Sequence, residues 1–309
     1  MKYASLKEQT FGIEIEMNCI SRQHAQQIVA KVLRDKGHGP VRTGRRNSYD
    51  NHYVIDKDGR EWKCESDASI AHKGEGTCEF VTPICRYEDI ELVQDIVRAL
   101  RNDGAKTDSS CGIHVHVGAA RHTAASLRRL TCFFVGRQDL FYEALEIGVR
   151  ENRWCKKTDA NLLKAMKAEK DGLTRRRVEQ LWYSSANSGY TGGIDHNHYN
   201  PTRYHGLNLH AVFTKGTIEF RLFNGTLHAG KIKAYVQFCL GMSAWALETT
   251  EDPTFRGTGN YSPTQKVRLM ANVLRGRLGL TGDEFKTCRH HLLAPLKRAA
   301  GMNINQEAA

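Results

Sequence analysis

The sequence of 309 residues has no long apolar run, and this absence excludes several classes of protein. No segment approaches the roughly 20 consecutive apolar residues that a membrane-spanning helix requires, so we expect no membrane partner. The first residues, MKYASLKEQT, lack the apolar core of a signal peptide. The sequence therefore predicts a cytoplasmic protein.

Paired cysteine motifs and phosphate-binding loops are also absent. The 9 cysteines are scattered and none forms a CxxC pair, which excludes a cysteine-rich zinc site and favours reduced thiols. No GxxxxGK[ST] segment occurs, so any ATP would be held by metal ions and strand residues. With only 6 prolines and no repeat, the composition is that of a folded protein with a sizeable core.

Acidic residues are fewer than basic ones, and the net charge is +11. Such a charge favours polyanionic partners: nucleic acid, a nucleotide, or a phosphorylated or acidic substrate. The basic residues cluster at Arg45–Arg46, at Arg175–Arg177 and towards Arg298. Because charge runs are most often solvated faces, the charge alone identifies no partner.

Alternating strands and helical segments predict an α+β fold. The predicted strands and helices include FGIEIEM (11–17), a hairpin over 53–64, a strand over 77–83, a long helix from Thr123 to Val149, the strands LNLHAVF and TIEFRLF, and a helix over 229–248. Strands of antiparallel type between helices favour a largely antiparallel, curved sheet with helices on one face. We expect a catalytic domain over residues 1–250 and a helical extension over 251–309.

Polar side chains recur on one face of the predicted strands. In SSCGIHVHVGA (109–119), His114 and His116 share one side because successive strand residues point to opposite faces. The same alternation places further polar residues on one side of their own strands: Glu14, Glu16, Glu65, Asp67, Glu79, Glu219 and Arg221. Clustered carboxylates repel one another unless cations neutralise them, and carboxylates with imidazoles suit Mg²⁺ or Mn²⁺. An arginine nearby can grip a phosphoryl group, so the pattern indicates phosphoryl transfer.

Each of these patterns has other interpretations. An HxH strand is more often a plain polar face, and an ExR strand is commonly a cross-strand ion pair. The same residues also suit a metal-dependent hydrolase or a cupin-like oxygenase, although HVHVGAARHT lacks the glutamate that a cupin needs. A basic nucleic-acid-binding protein is a further alternative, which leaves the aligned carboxylates unexplained.

Six segments in order resemble the putative amidoligase family over about residues 11–248. The segments are FGIEIE, DASI, CEFVTPI, SCGIHVHVGA, RYHGLNLHAV and GTIEFRLFNGTL. This family is related to glutamine synthetase and γ-glutamylcysteine synthetase in the carboxylate–amine ligase superfamily. The resemblance implies the catalytic fold of those enzymes and an ATP-dependent, amide-forming ligase that acts through an acyl phosphate, with Mg²⁺ or Mn²⁺. Its substrates would be a small-molecule or peptide carboxylate and an amine, and a nucleotide or nucleic acid remains an option.

The resemblance also implies roles for individual residues. The implied metal ligands are Glu14, Glu16, Glu79, His114 and Glu219. The implied catalytic residues are Arg221, Asp67, His116 and Arg203. Those implied to bind the nucleotide are Arg203, Asn208, Arg221 and His116, and for Arg203 and Asn208 the substrate carboxylate is the alternative ligand. Which histidine is the ligand stays open, with His114 favoured. The glycine-rich segment 188–206 is a candidate lid, and its histidines at 196, 198 and 205 are equally compatible with an ordinary loop.

Overall fold

A computed structural model describes residues 2–46, 49–169, 172–186, 192–253 and 259–305 of the chain. The chain divides into two compact units. The β-rich unit comprises Thr10–Val115 and Phe223–Val236. The helix-rich unit comprises Met1–Gln9, His116–Leu222 and Gln237–Ala309.

The described residues form eight strands and eleven α-helices. The strands are β1 (Phe11–Asn18), β2 (Arg42–Arg46), β3 (Asn51–Ile55), β4 (Glu61–Glu65), β5 (Thr77–Val81), β6 (Gly112–Gly118), β7 (Leu207–Asn208) and β8 (Thr217–Asn224). The helices are α1 (Ser5–Glu8), α2 (Arg22–Asp35), α3 (Ile90–Asn102), α4 (Ala124–Val135), α5 (Gln138–Ala144), α6 (Ala160–Ala168), α7 (Arg175–Ser185), α8 (His210–Thr214), α9 (Ala229–Glu248), α10 (Pro263–Asn272) and α11 (Lys286–Ala299). The α+β class is therefore confirmed, whereas the glutamine synthetase-like form of the fold stays a prediction.

In the β-rich unit the strands lie in the order β2-β3-β4-β5-β1-β6. The pairings from β2 through to β1 are antiparallel. Helix α2 begins where the Ser21 side chain accepts a hydrogen bond from the backbone N–H of His24, as an N-cap residue does. This helix contacts β3, β4 and β5 as well as α3.

One face of these strands is apolar and buried. Ile15, Trp62 and Phe80 are fully buried, and the rings of Trp62 and Phe80 stack with centroids 6.2 Å apart. Because side chains alternate along a strand, burial of this set places the intervening glutamates on the opposite face. The alternation read from the sequence is thus confirmed for β1, β4 and β5.

In the helix-rich unit β7 pairs antiparallel with β8, and most of the remaining chain is helical. Helices α4, α6 and α7 contact one another, and α10 and α11 both contact α5. An aromatic cluster forms the core, in which Phe133 lies 4.4 Å from Trp245 and Phe141 lies 5.2 Å from Phe238 between ring centroids. The domain boundary predicted at residue 250 stays a prediction.

The long helix expected over Thr123–Val149 is wrong, because the segment forms two helices. Helix α4 is capped by Thr123 and ends at Gly136, and α5 begins after Arg137. The φ and ψ of Arg137 are −131° and 7°, which lie outside helical geometry and break the hydrogen-bond ladder. The apolar positions keep their helical spacing across this break, so periodicity alone did not reveal it.

The strand expected over LNLHAVF is also wrong beyond its first two residues. The side-chain oxygen of Asn208 accepts a hydrogen bond of 2.9 Å from the backbone N–H of His210, where α8 begins. An asparagine side chain that bonds the backbone two residues on turns the chain and ends extended structure. β7 is therefore a short strand followed by one helical turn.

No helix in the described part of the chain has both the length and the apolar character needed to cross a membrane.

Candidate functional site

A row of three carboxylates crosses three strands of the β-rich unit. Glu16 on β1 is the register partner of Glu79 on β5, and Glu79 is in turn the partner of Glu65 on β4. Like charges directly opposite one another on a sheet destabilise it. The row therefore marks a position at which a bound cation would relieve repulsion.

A histidine lies beside this row. One ligand atom from each of Glu14, Glu79 and His114 lies within 4.8 Å of the others. The Nδ1 of His114 is 2.8 Å from Glu14 Oε2, and its Nε2 is 3.7 Å from Glu16 Oε1. His114 is only 3% exposed, so its ring is fixed between two carboxylates.

Asp67 completes a second group with the same glutamates. Ligand oxygens of Glu16, Asp67 and Glu79 lie within 4.8 Å of one another. The backbone N–H of Ser69 donates a 2.6 Å hydrogen bond to Asp67 Oδ1, which orients this carboxylate in the loop after β4. The backbone N–H of Gly112 donates a 2.6 Å hydrogen bond to Glu16 Oε2. Glu79 thus belongs to both groups.

The electrostatics of this acidic cluster (Glu14, Glu16, Glu65, Asp67, Glu79 and His114) centre on Glu79. Burial raises the pKa of Glu79 well above its usual range, and the other carboxylates of the cluster add to the rise. A divalent cation would reverse both effects, since it stabilises the charged form. The five carboxylates and one imidazole of the cluster supply the oxygen and nitrogen donors that suit Mg²⁺ or Mn²⁺, so these residues fit such an ion.

In the helix-rich unit, the carboxylate of Glu219 accepts hydrogen bonds from two side chains. Arg221 Nη1 donates a 2.5 Å hydrogen bond to Glu219 Oε1, and Asn208 Nδ2 donates one of 2.7 Å to Glu219 Oε2. Asn208 is the register partner of Glu219 across β7 and β8. Glu219 is 2% exposed and Arg221 is 5% exposed. This buried carboxylate is therefore matched by a cation and an amide of the protein itself.

His116 lies in the same unit as Glu219. Its Nδ1 is 2.9 Å from Thr217 Oγ1, and its Nε2 is 3.9 Å from Glu219 Oε1. Thr217 opens β8 on the face that carries Glu219. Its contact with His116 was not predicted from the sequence, although the strand alternation placed it on that face.

Arg203 lies at the end of a 3₁₀ turn, Pro201–Arg203. Its Nη1 donates a 2.7 Å hydrogen bond to the backbone oxygen of His198, and its guanidinium is 5.4 Å from the centroid of the Tyr204 ring. Arg203 lines a cavity of about 170 Å³ together with Asn208 and Glu219. The cavity also has lining residues without a predicted role, including His210 and Lys215.

The candidate lid is described only in part, since residues 187–191 lie outside the described residues. His205 is a core residue: it is 1% exposed, its Nδ1 lies 2.7 Å from the backbone oxygen of Thr202, and its ring packs edge-on against Trp182. His196 and His198 line the cavity beside Arg203. Closure of this segment over a site stays a prediction.

The structure brings the predicted residues together in two groups. The β-rich group contains Glu14, Glu16, Asp67, Glu79 and His114, and the helix-rich group contains His116, Arg203, Asn208, Glu219 and Arg221. Glu65 was placed on the polar face by its alternation but received no role, because its place opposite Glu79 depends on strand register.

Fold and site geometry together define an α+β protein with a carboxylate-rich sheet face in one unit and a buried glutamate–arginine pair in the other. A family model described as a putative amidoligase enzyme matches residues 7–243. The chain therefore belongs to the putative amidoligase family, as the resemblance indicated, and it is an enzyme of the ligase type. No curated protein matches the chain.

Proposed function

We propose that this protein is an ATP-dependent ligase that joins a carboxylate to an amine through an acyl-phosphate intermediate. Membership of the amidoligase family supports a ligase. The observation that carries the proposal is the acidic cluster, in which Glu79 faces Glu16 and Glu65 across the sheet. A protein that gathers carboxylates in this way is suited to hold the divalent ions that accompany ATP.

In this proposal the acidic cluster holds Mg²⁺ or Mn²⁺. The ligands that we propose are Glu14, Glu79 and His114, with Glu16 beside them, and Asp67 is left for the amine substrate although its carboxylate lies within 4.8 Å of those of Glu16 and Glu79. When bound, such ions neutralise charge on phosphate oxygens and so favour phosphoryl transfer. The contact of His114 with Glu14 orients the ring, and the Gly112 N–H orients Glu16, so both ligands are fixed before an ion binds.

The chemistry follows from the weakness of a carboxylate as an electrophile. An oxygen of the acid substrate attacks the γ-phosphorus of ATP, the bond to ADP breaks, and an acyl phosphate forms. The amine nitrogen then attacks the acyl carbon, and the carbon–oxygen bond to phosphate breaks. The amine also loses a proton, for which Asp67 in the loop after β4 is the acceptor we propose.

The helix-rich unit supplies the groups that would bind the phosphoryl oxygens. Arg221 is held by Glu219, and Asn208 occupies the other oxygen of that glutamate, so the guanidinium is oriented in advance. We assign Arg221 to the charge that develops on the transferred phosphoryl group. His116 and Arg203 are assigned to phosphate oxygens, and Glu219 is also a candidate metal ligand.

The experiment is a search for product by mass spectrometry with ATP, Mg²⁺ and pooled acids and amines. We expect ADP release that requires both an acid and an amine, with a product lighter than their sum by one water. Arg221→Lys should lower the rate by roughly a thousandfold, because an ammonium cannot reproduce the fork of a guanidinium.

The control is Glu61→Gln, which changes a glutamate of β4 in the β-rich unit that is not part of the acidic cluster. This variant should keep the wild-type rate. Turnover of ATP that ignores every acid and amine, or that survives Arg221→Lys, would contradict the proposal. Hydrolysis of substrates without ATP would favour a metal-dependent hydrolase instead.

A further inference from the structure

Three helices of the helix-rich unit, α4, α6 and α7, carry an excess of positive charge. Together they contain seven basic residues and one acidic residue, Glu179. The basic residues are Arg128, Arg129, Lys164, Lys167, Arg175, Arg176 and Arg177. Because the three helices contact one another, these side chains belong to one layer of the unit. The carboxylates of the layer itself are too few to neutralise it.

Several of these charges gather where α4 and α7 begin. Arg175 Nη1 donates a 3.3 Å hydrogen bond to the backbone oxygen of His122, just before α4. Arg129 donates from Nε and Nη2 to the backbone oxygen of Ala246, at 3.1 and 3.0 Å. A carbonyl oxygen orients a guanidinium without cancelling its charge, and neither arginine forms an ion pair with a described residue. Two oriented cations therefore lie at this end of the layer.

The carboxylates that do reach this region are each paired with one arginine. The pairs are Arg128 with Asp252, Arg121 with Glu8, and Arg177 with Glu169. Arg176 is exposed and has no ion-pair partner among the described residues. Arg129, Arg175 and Arg176 thus remain without a carboxylate, and positive charge exceeds negative charge on this surface.

The titration of nearby groups agrees with a positive potential. Burial is the main cause of the low pKa of His122, and the charges of Arg175, Arg129 and Arg121 add to it. Burial and the charge of Arg128 likewise lower the pKa of Arg129. In addition, the first turn of α7 is basic and contains no acidic residue, although the helix dipole disfavours cations there. Helix stability therefore does not account for these arginines.

We infer that this basic face, formed by Arg121, Arg128, Arg129, Arg175 and Arg176, binds the phosphate backbone of a double-stranded nucleic acid. A duplex carries one negative charge per about 1.7 Å of its axis, so it can neutralise several arginines of one surface together. The planar guanidinium is also a strong donor to phosphate oxygens.

The side chains of the basic face argue against two other polyanions. A single strand is held by stacking its bases on aromatic rings, and a membrane surface takes up apolar side chains. None of the large hydrophobic side chains that are exposed in the described part of the chain belongs to α4, α6 or α7. The basic face therefore suits a partner recognised by its backbone charge, without contacts to base edges.

Its consequence for the substrate rests on the proposed function. A ligase with this basic face would act on a carboxylate or an amine that is carried by a nucleic acid. The basic face and Arg221 belong to the same unit of the chain. Binding of the duplex itself requires neither ATP nor a divalent ion, so it can be measured apart from ligation.

The experiment is fluorescence anisotropy of a labelled duplex of about 20 base pairs, titrated with the full chain in EDTA and without ATP. We expect a Kd on the order of micromolar at low salt, equal for two unrelated sequences. The slope of log K against log salt concentration should be about −3 to −4, since each neutralised phosphate contributes about −0.9.

Arg176→Glu is the variant that tests the basic face. A glutamate in the first turn of α7 is favoured by the helix dipole, so the fold should be kept. We expect binding to weaken by roughly tenfold and the salt slope to lose about one unit. The matched control is Arg268→Glu, which makes the same change of charge at an exposed position of α10 in the same unit. Its binding should equal that of the wild type.

Equal weakening by Arg176→Glu and Arg268→Glu would overturn the inference, because the duplex would then respond only to net charge. Absence of binding at low salt would also overturn it. Polyglutamate, phosphatidylserine vesicles and a single strand serve as competitors at equal charge. Displacement of the duplex by any of them would assign the basic face to an acidic protein, a membrane surface or a single strand instead. Because no turnover is measured, failure to find an amide product would leave this result untouched.

Discussion

Buried carboxylates are handled differently in the two units of the molecule. In the β-rich unit Glu79 faces Glu16 and Glu65 across the sheet, so its neighbours carry the same charge. In the helix-rich unit Glu219 receives hydrogen bonds from Arg221 and Asn208. Glu219 has a buried counter-charge in Arg221, whereas in the row the Nζ of Lys63 lies 3.6 Å from Glu65 Oε1 and both of these side chains are partly exposed.

This difference separates two ways of building a polar site. A buried ion pair within the chain is complete before any ligand arrives, and removal of one partner is costly. A cluster of like charges is destabilising on its own and becomes favourable when a cation binds. Substitutions of glutamate should therefore have opposite effects on stability in the two units.

The largest expected effect follows from Glu219→Ala. This change removes the carboxylate to which the buried Arg221 donates, and loss of one partner of a buried pair costs about 3–5 kcal/mol. We expect the free energy of unfolding in urea to fall by that amount. Glu61→Ala, which breaks a partly exposed pair with Arg46, should cost less than about 1 kcal/mol. Equal losses in the two variants would contradict the contrast between buried and exposed pairs.

The next effect concerns the response of the helix-rich unit to acid. Burial, with a contribution from Arg175, lowers the pKa of His122 to about 4 from its ordinary 6.5. The unfolded chain takes up this proton near pH 6.5, so the stability contributed by neutral His122 is lost as pH falls towards 4. The loss amounts to about 3 kcal/mol at most. His122→Gln should flatten this part of the pH profile of the unfolding free energy, and an unchanged slope would refute the assignment.

In the β-rich unit a smaller effect of opposite sign is expected. Without metal and at alkaline pH, Glu79→Gln should raise the free energy of unfolding by up to about 1 kcal/mol, because it removes a charge that faces Glu16 and Glu65. Chemical denaturation in the presence of a chelator measures the change. Glu61→Gln is the control and should give no gain. A loss of stability in Glu79→Gln would show that the cluster is not repulsive.

The smallest expected effect is at His24, whose contribution to the free energy of unfolding depends on pH with the opposite sign to that of His122. The ring nitrogens of His24 lie 3.1 Å from Glu75 Oε2 and 2.7 Å from Asp103 Oδ2, and the bond with Glu75 leads the causes that raise its pKa. Its contribution is present below its ordinary pKa of 6.5 and is lost as pH rises through the raised value. Because His24 is partly exposed, we expect less than about 1 kcal/mol. Urea unfolding of His24→Gln at several pH values tests this: the variant should be less stable than the wild type at acidic pH only, and a loss confined to alkaline pH would contradict the assignment.

Strand alternation is the part of this architecture that could be predicted from the sequence. It is a local property with a period of two residues, so Glu14, Glu16 and Glu79 were assigned to polar faces before any pairing was known. Register is not local, since it depends on which strand lies alongside. The position of Glu65 opposite Glu79 therefore emerged only from the structure.

A hydrogen bond between a side chain and the nearby backbone explains a second limit of prediction. LNLHAVF alternates as a strand does, yet the Asn208 side chain bonds the His210 N–H and starts a helical turn. That turn places His210 at the cavity beside Arg203, although the sequence predicted no role for His210. This side-chain hydrogen bond competes with the backbone hydrogen bonds that a longer strand would form with a neighbouring strand. Because the sequence does not say which strand is the neighbour, residue propensity and alternation cannot predict which of the two wins.

The central claim is that the acidic cluster of the β-rich unit holds divalent cations, and direct binding of Mn²⁺ to the full chain tests it. Electron paramagnetic resonance of free Mn²⁺ measures the bound fraction without any substrate. The account predicts saturable binding that is lost in Glu79→Gln and kept in Glu61→Gln. Binding that is equally weak in all three proteins, or unaffected by Glu79→Gln, would contradict it.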